Sequence, residues 1–386
     1  MNAFYELYAS VILFSALGIK KDDVLAINTS ESNLEFARIL ARKAKEATDN
    51  GSYLMIITDD KKASEVTEIY SDHIIEKSPT LFVYLMDYEE YEKIEDFSLS
   101  LSARKLMEYR QLSNPVNLSL PLLPFATVPL PSKKWSALLG EDENLSSVII
   151  SDLLSLGEEN PVKANNEIKE LISYDLEMLN RNKNRRCHMY SDDGLTDFYF
   201  SFDENTSFSS QMLVSKDGRT FIPSIAAQSY FRAIEKNSAN GRIHSTGFFM
   251  LFGKEFENID LYYENGKLVS FSSSEELERY FSFYISQDED ASLPAELIVA
   301  EENNRFSSIP YFAYPEWDKN RSVHITLGSA RCESYCLSED EEDKIKSPSS
   351  LITLSLPLSS SDLFIEVFDD ENESQLIFSD GMIENN

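Results

Sequence analysis

The pattern of apolar and polar positions divides the chain into two regimes. In residues 1–112 short apolar runs alternate with stretches of helical period. Phe4, Leu7, Tyr8, Val11, Ile12 and Leu13 recur at helical spacing, which predicts a first helix over Phe4 to Leu17 packed by one face on a core. The run Val24 to Asn28 (VLAIN) predicts a strand. Ser30 is placed to cap a second helix, Glu31 to Ala47, with Leu34, Ala37, Leu40 and Ala44 on one face. The turn Asp49-Asn50-Gly51 ends it, with Gly51 free to take positive φ. Tyr53 to Thr58 (YLMIIT) reads as a second strand, Lys62 to Glu76 as a third helix, and Leu81 to Met86 (LFVYLM) as a third strand. Strands and helices alternating in this way imply right-handed crossovers and a parallel sheet, hence an N-terminal α/β domain.

Residues 113–131 contain Pro115, Pro121, Pro124, Pro129 and Pro131 and read as a connection with short extended pieces. Residues 132–386 then form a second domain. It opens with helical stretches near Leu145 to Leu156 and Asn165 to Asn180, and from Arg186 the period becomes two. The predicted strands are CHMY, LTDFYFSF, GRTFIP, STGFFMLF, NIDLYYENGKLVSFS, LPAELIVA, LITLSLPL, DLFIEVF and QLIFS. Asn265-Gly266 suits a type I′ hairpin turn. This half is an α+β domain with mainly antiparallel sheet.

Composition narrows the function. The 386 residues are 42% hydrophobic, enough for substantial cores, and carry a formal net charge of -31. Such a surface repels phosphate backbones and anionic lipid, so neither nucleic acid nor membrane is an expected partner. The apolar run Val11 to Leu17 is too short to span a bilayer, and Glu6 is the only early charge, so no signal peptide is expected. Cys187, Cys332 and Cys336 are too few for a disulfide framework and suit a cytoplasmic, reducing compartment. The C-x3-C pair has no second pair or nearby His, so no structural zinc is expected there. There is no phosphate loop, nucleophile elbow or H-E-x-x-H motif. His73 is expected on an exposed helix, and His188 and His244 as ordinary strand residues. The acidic run Ser338 to Asp343 reads as a solvated loop.

Several stretches, in order, resemble the aminopeptidase T family of two-metal peptidases. FIPSIAAQSYFRAIEKNSANG (Phe221 to Gly241) is similar to F-x-P-N-x-P-T-E-E-V-F and its terminal glycine. LPAELIVA (Leu293 to Ala300) is similar to L-G-E-x-A-L-V, and YFAYPEWDKNRSVHITLG (Tyr311 to Gly328) to F-x-x-x-L-x-D-E-N-x-x-x-H-x-A-x-G. LITLSLPLSSSDLFIEV (Leu351 to Val367) resembles H-x-D-F-M-I-G-S-P-x-L-x-I, and LIFSDGMI (Leu376 to Ile383) the closing x-V-x-R-D-G-x-F. GIKKDDVLAI (Gly18 to Ile27) resembles G-x-x-x-x-G-x-x-L-x-I. The likeness spans both halves and implies a homodimer that handles peptides. It also implies two divalent cations held by two glutamates, two histidines and an aspartate, with a glutamate as general base and a tyrosine nearby.

Position by position, most of that set is altered. The metal glutamates fall on Gln228, which is followed by Ser229, and on Glu296. The histidines fall on His324 and Thr353, and the aspartate on Ser355. The general-base position is Lys319 and the tyrosine position is Arg331. A unit charge repels a dication about 4 Å away by roughly 8 kcal/mol at an effective dielectric of about 20. The expectation is therefore a diverged family member with impaired aminopeptidase chemistry and no metal cofactor, kept for a structural or peptide-binding role. Lys319 and Arg331 are expected to pair with Glu296. The alternative is an active enzyme whose zinc, cobalt or manganese site is rebuilt with carboxylates such as the run Asp369 to Glu373. A third reading is an acidic interaction protein.

Overall fold

The computed structural model describes residues 2–57, 64–72, 78–86, 123–331 and 346–384. Two compact units emerge. The first takes in Met1–Glu90, Leu120–Leu171 and Gln211–Ala227, and the second the rest of the chain. The first unit therefore reaches past the proline-rich stretch.

The core of the first unit is a five-stranded sheet in the order Ser64–Tyr70, Ser52–Ile57, Leu25–Thr29, Leu81–Met86, Phe125–Pro129. Leu25–Thr29 is buried at every residue, with parallel neighbours on both sides. A strand covered on both faces reads as an unbroken apolar run, as VLAIN does. Phe125–Pro129 pairs in parallel at one edge, where a proline without an N–H is tolerated.

The opposite edge departs from expectation. The helix predicted over Lys62 to Glu76 is instead the strand Ser64–Tyr70, antiparallel to Ser52–Ile57, so the sheet is mixed. The β-branched and aromatic residues of SEVTEIY favour a strand, and that preference outweighs the apparent helical spacing. Gly51 at φ +86 makes the close approach possible, because a Cβ there would lie 2.2 Å from the Tyr70 carbonyl oxygen. The flanks of the predicted helix, with His73, lie outside the described residues.

Two local readings are refined. The first helix is α-helical over Asn2–Ser10 and continues as a π-helical turn, Val11–Ala16. Ser30 does not cap the helix Leu34–Ala47. A 3-10 turn, Glu31–Asn33, precedes that helix, and the Ser30 hydroxyl bonds the Ser32 and Asn33 side chains.

The segment Gln211–Ala227 joins the first unit through a buried ion pair. Arg219 donates to both Asp23 oxygens, at 2.7 and 3.1 Å, with side chains only 8% and 4% exposed. Asp23 also accepts from the Thr80 hydroxyl and the Lys20 N–H.

Among the described residues the second unit contains two large antiparallel sheets and a two-stranded one, Phe249–Leu251 with Lys254–Phe256. One large sheet has eight strands, including the hairpin Ile259–Glu264 and Lys267–Ser272. Asn265 and Gly266 both take positive φ in its turn, as a type I′ turn requires. The other has five strands in the order Ser349–Pro357, His324–Ser329, Pro294–Val299, Tyr230–Ala233, Ser209–Ser210. Tyr230–Ala233 and Pro294–Val299 are buried throughout, and His324–Ser329 nearly so. Among the described residues no helix is long and apolar enough to cross a membrane.

Replacing Arg219 with Met is expected to lower stability by about 3 kcal/mol, because it strands a buried carboxylate. Urea unfolding measures this; an unchanged midpoint would show that the pair does not hold the segment.

Candidate functional site

The five-stranded sheet gathers the positions singled out above. Cross-strand partners set Glu296 opposite Thr326, and Thr326 opposite Ser355. In the next row Phe231 lies opposite Ile298, Ile298 opposite His324, and His324 opposite Pro357. Partners in register project to the same side and alternate residues share it. Glu296, His324, Thr326, Ser355 and, by alternation, Thr353 therefore share one face with Phe231.

Glu296 is 1% exposed. Its carboxylate accepts from the Arg331 backbone N–H at 3.0 Å and from Arg331 Nε at 3.1 Å. The guanidinium lies over the Phe231 ring, 4.0 Å from its centroid. Lys319 does not join this pair as expected: its Nζ bonds Glu316 Oε1 at 3.1 Å. The cause is local, since the short helix Pro315–Asp318 places Glu316 one turn before Lys319. Burial works to raise the Glu316 carboxyl, but Lys319 and Arg331 together hold it below the usual range.

His324 is 2% exposed, and its Nδ1 lies 2.9 Å from the Ser322 carbonyl oxygen. A carbonyl only accepts, so Nδ1 carries the proton and Nε2 presents a lone pair. Among the described residues Nε2 has no hydrogen-bond partner. Burial pushes the imidazole pKa down to about 3, assisted by the charges of Arg321, Lys319 and Arg331, so the ring is neutral.

A polar loop joins Gln228 to this cluster. Asn320 Oδ1 accepts from the Gln228 N–H at 2.6 Å, while its Nδ2 donates to the Glu316 carbonyl at 2.7 Å. Asp318 accepts from the Phe312 and Tyr314 N–H groups, and burial raises its carboxyl to about 7. Gln228 Oε1 and Ser229 Oγ are buried without a hydrogen-bond partner among the described residues. Ser355 is engaged by the Thr326 hydroxyl at 2.7 Å. Among the described residues no hydrogen bond ties Thr353 to the cluster.

Residue-by-residue reading missed Glu316, Asp318 and Asn320. The last two are letters of the D-E-N pattern and were there to be seen. The acidic run Asp369 to Glu373 belongs to the other large sheet. It turns between strands Leu363–Phe368 and Ser374–Ser379 of the other sheet, where Asp369 accepts from the N–H groups of Glu371 and Glu373. His188 and His244 also belong to that sheet, each against a carboxylate: Asp197 at 2.7 Å and Asp260 at 3.0 Å. Cys187 is buried. Cys332, Cys336 and the run Ser338 to Asp343 lie outside the described residues.

The sequence model of the thermophilic metalloprotease (M29) family matches residues 121–383. The chain belongs to this family. It is 24% identical over 171 residues to aminopeptidase 2 of Geobacillus stearothermophilus, and the match spans 43% of this chain and 41% of that one, less than half of the relative's length. Wild-type AmpT from Thermus thermophilus superposes with a TM-score of 0.79 over 99% of both chains at 16% identity, a likeness of fold.

The M29 fold implies metal, but this donor set does not fit two divalent ions. The face offers one carboxylate, already bonded through both oxygens, and one neutral imidazole. It adds an amide and a pair of hydroxyls bonded to each other. Dipoles compensate poorly for desolvating a dication, and two fixed cations oppose it. Among the described residues no group of three or more His, Cys, Asp or Glu is placed to hold a metal ion.

His324 sets a pH dependence. Its folded pKa, about 3, lies below the ordinary 6.5, so the unfolded chain takes up the proton first. Stability therefore falls as pH drops from 6.5 towards 3, by about 1.4 kcal/mol per pH unit. Asp318 acts oppositely: its contribution is full below 3.8 and is lost as pH rises through about 7. A His324→Asn variant should have a flatter or inverted acid limb in urea unfolding between about pH 6 and 4. An acid limb as steep as the wild type's would show that His324 is not a buried neutral base.

Proposed function

We propose that this chain is an M29 protein in which two-metal aminopeptidase chemistry is impaired or lost, retained as a structural or peptide-binding homodimer in the cytoplasm. One observation carries the reading. The retained glutamate, Glu296, gives both carboxylate oxygens to Arg331, and Arg331 stands where the family pattern has a tyrosine. A carboxylate bound in this way is neutralised by a side chain instead of a metal. The general-base position supports the same reading. Lys319 puts an amine where the family pattern has a carboxylate, and its Nζ is paired with Glu316.

Protein purified without chelator should contain no stoichiometric metal, and should show no hydrolysis of a leucyl substrate above the blank with added zinc, cobalt or manganese. Stoichiometric metal together with turnover would overturn the reading and favour an active aminopeptidase with a rebuilt site.

A further inference from the structure

We propose that the outer face of the eight-stranded sheet docks an arginine-rich segment of a partner protein, on the rings of Tyr190, Tyr199 and Phe364 and the carboxylates of Asp197 and Glu366. The inference goes beyond the reading above. It concerns a different sheet from the one that carries Glu296, and it holds whether or not the M29 chemistry survives.

Alternation defines the face. In Arg186–Ser191, Asp197–Ser201 and Leu363–Phe368, Cys187, Met189, Phe198, Phe200 and Ile365 are buried, and the residues between them are exposed or half-buried. An open sheet face is ordinarily polar. This one carries aromatic rings. Cross-strand register sets Phe364 beside Tyr190, and His188 beside Tyr199. Tyr190 and Phe364 stack with centroids 5.2 Å apart, and His188 and Tyr199 with centroids 3.9 Å apart. Tyr199 is nevertheless 48% exposed. Tyrosine rings offer a large contact area at little entropic cost.

The polar groups among the rings are acidic. Glu366 accepts from the Tyr190 hydroxyl at 3.1 Å, and Asp197 from His188 Nε2 at 2.7 Å. The Asp197 side chain is 65% exposed. Partial burial, the bond to Glu366 and then the charges of Glu366 and Asp192 push the Tyr190 hydroxyl pKa up, so Asp192 adds its field to the same face. Among the described residues neither Asp197 nor Glu366 is paired with a lysine or arginine. Arg186, on the strand of Tyr190, turns to the Asp369 carbonyl and the Asn372 side chain. Arg242 stands opposite Asp197 in register but bonds Asp260.

That last contact shows how the face holds a guanidinium. Arg242 lies over Tyr262, 5.4 Å from its centroid, and gives Asp260 two hydrogen bonds. Ring and carboxylate together suit a planar, delocalised cation. Around Tyr190 and Tyr199 both kinds of group are present, and a partner supplies the cation. The net charge of -31 favours approach of a basic segment. It also argues against a second copy of this chain, because two such faces placed together would set carboxylate against carboxylate.

The test uses a fluorescein-labelled peptide of alternating Arg and Ser, its Glu and Ser counterpart, and fluorescence anisotropy with the full chain. Wild type should bind the first saturably and not the second. Tyr199→Ala, which leaves the net charge unchanged, should raise Kd at least about fivefold, while Tyr199→Phe should stay within about twofold. Asp197→Asn/Glu366→Gln should raise Kd at least about fivefold, and the equally charged control Glu158→Gln/Glu159→Gln less than about twofold. If Tyr199→Ala does not fold, the two charge variants decide. No binding by wild type, or equal Kd values for the face and control variants, would overturn the inference and leave only diffuse attraction. A wild-type dimer that Tyr199→Ala converts to monomer in sedimentation would also overturn it, because the face would then belong to a second copy.

Discussion

A carboxylate on a central strand buried at every residue must be neutralised where it stands. Glu296 cannot turn to solvent, because Pro294–Val299 is buried throughout and hydrogen-bonded on both sides. The cost of an uncompensated buried charge amounts to several kcal/mol, a large part of the net stability of a typical domain. Arg331 meets this demand with two hydrogen bonds and a stacked guanidinium. Lys319, Glu316 and the neutral His324 then arrange themselves around the pair. The permanent charge of arginine suits the role, since no pH in the folding range releases it.

The cluster is positioned by groups that perform no chemistry. Asp318 closes the short helix Pro315–Asp318 by accepting two N–H groups from the chain before it. Asn320 ties that loop to the backbone of Gln228, just ahead of the strand Tyr230–Ala233. These contacts bring two separated stretches of chain together whether or not the side chains there can bind metal. On the reading proposed above, the M29 scaffold is separable from its ligand set.

Much of this was legible in the sequence, and the exceptions have physical causes. Alternating strands such as DLFIEVF and the Asn265-Gly266 hairpin were found because one face is covered and the other is open. Tyr230–Ala233 and His324–Ser329 were not predicted as strands: both are short, and Tyr230–Ala233 shows no alternation. Ser64–Tyr70 was misread as helix because a short edge strand with glutamates among its apolar residues mimics a helical stripe. At the proposed site, the motif resemblance singled out Glu296, His324, Lys319 and Arg331, of which the fold pairs Glu296 with Arg331. It could not say which cation meets which carboxylate, since that depends on the turn that brings Glu316 beneath Lys319. The burial of Glu296 against Arg331 likewise comes from packing between strands far apart in the chain.

The central claim is that Glu296 and Arg331 hold each other in place of a metal. A double-mutant cycle with Glu296→Gln, Arg331→Met and the combined variant, unfolded in urea with chelator present, tests it most directly. A coupling energy of about 2–3 kcal/mol is predicted, with the combined variant more stable than Arg331→Met alone. Additive effects, within about 0.5 kcal/mol, would contradict the account.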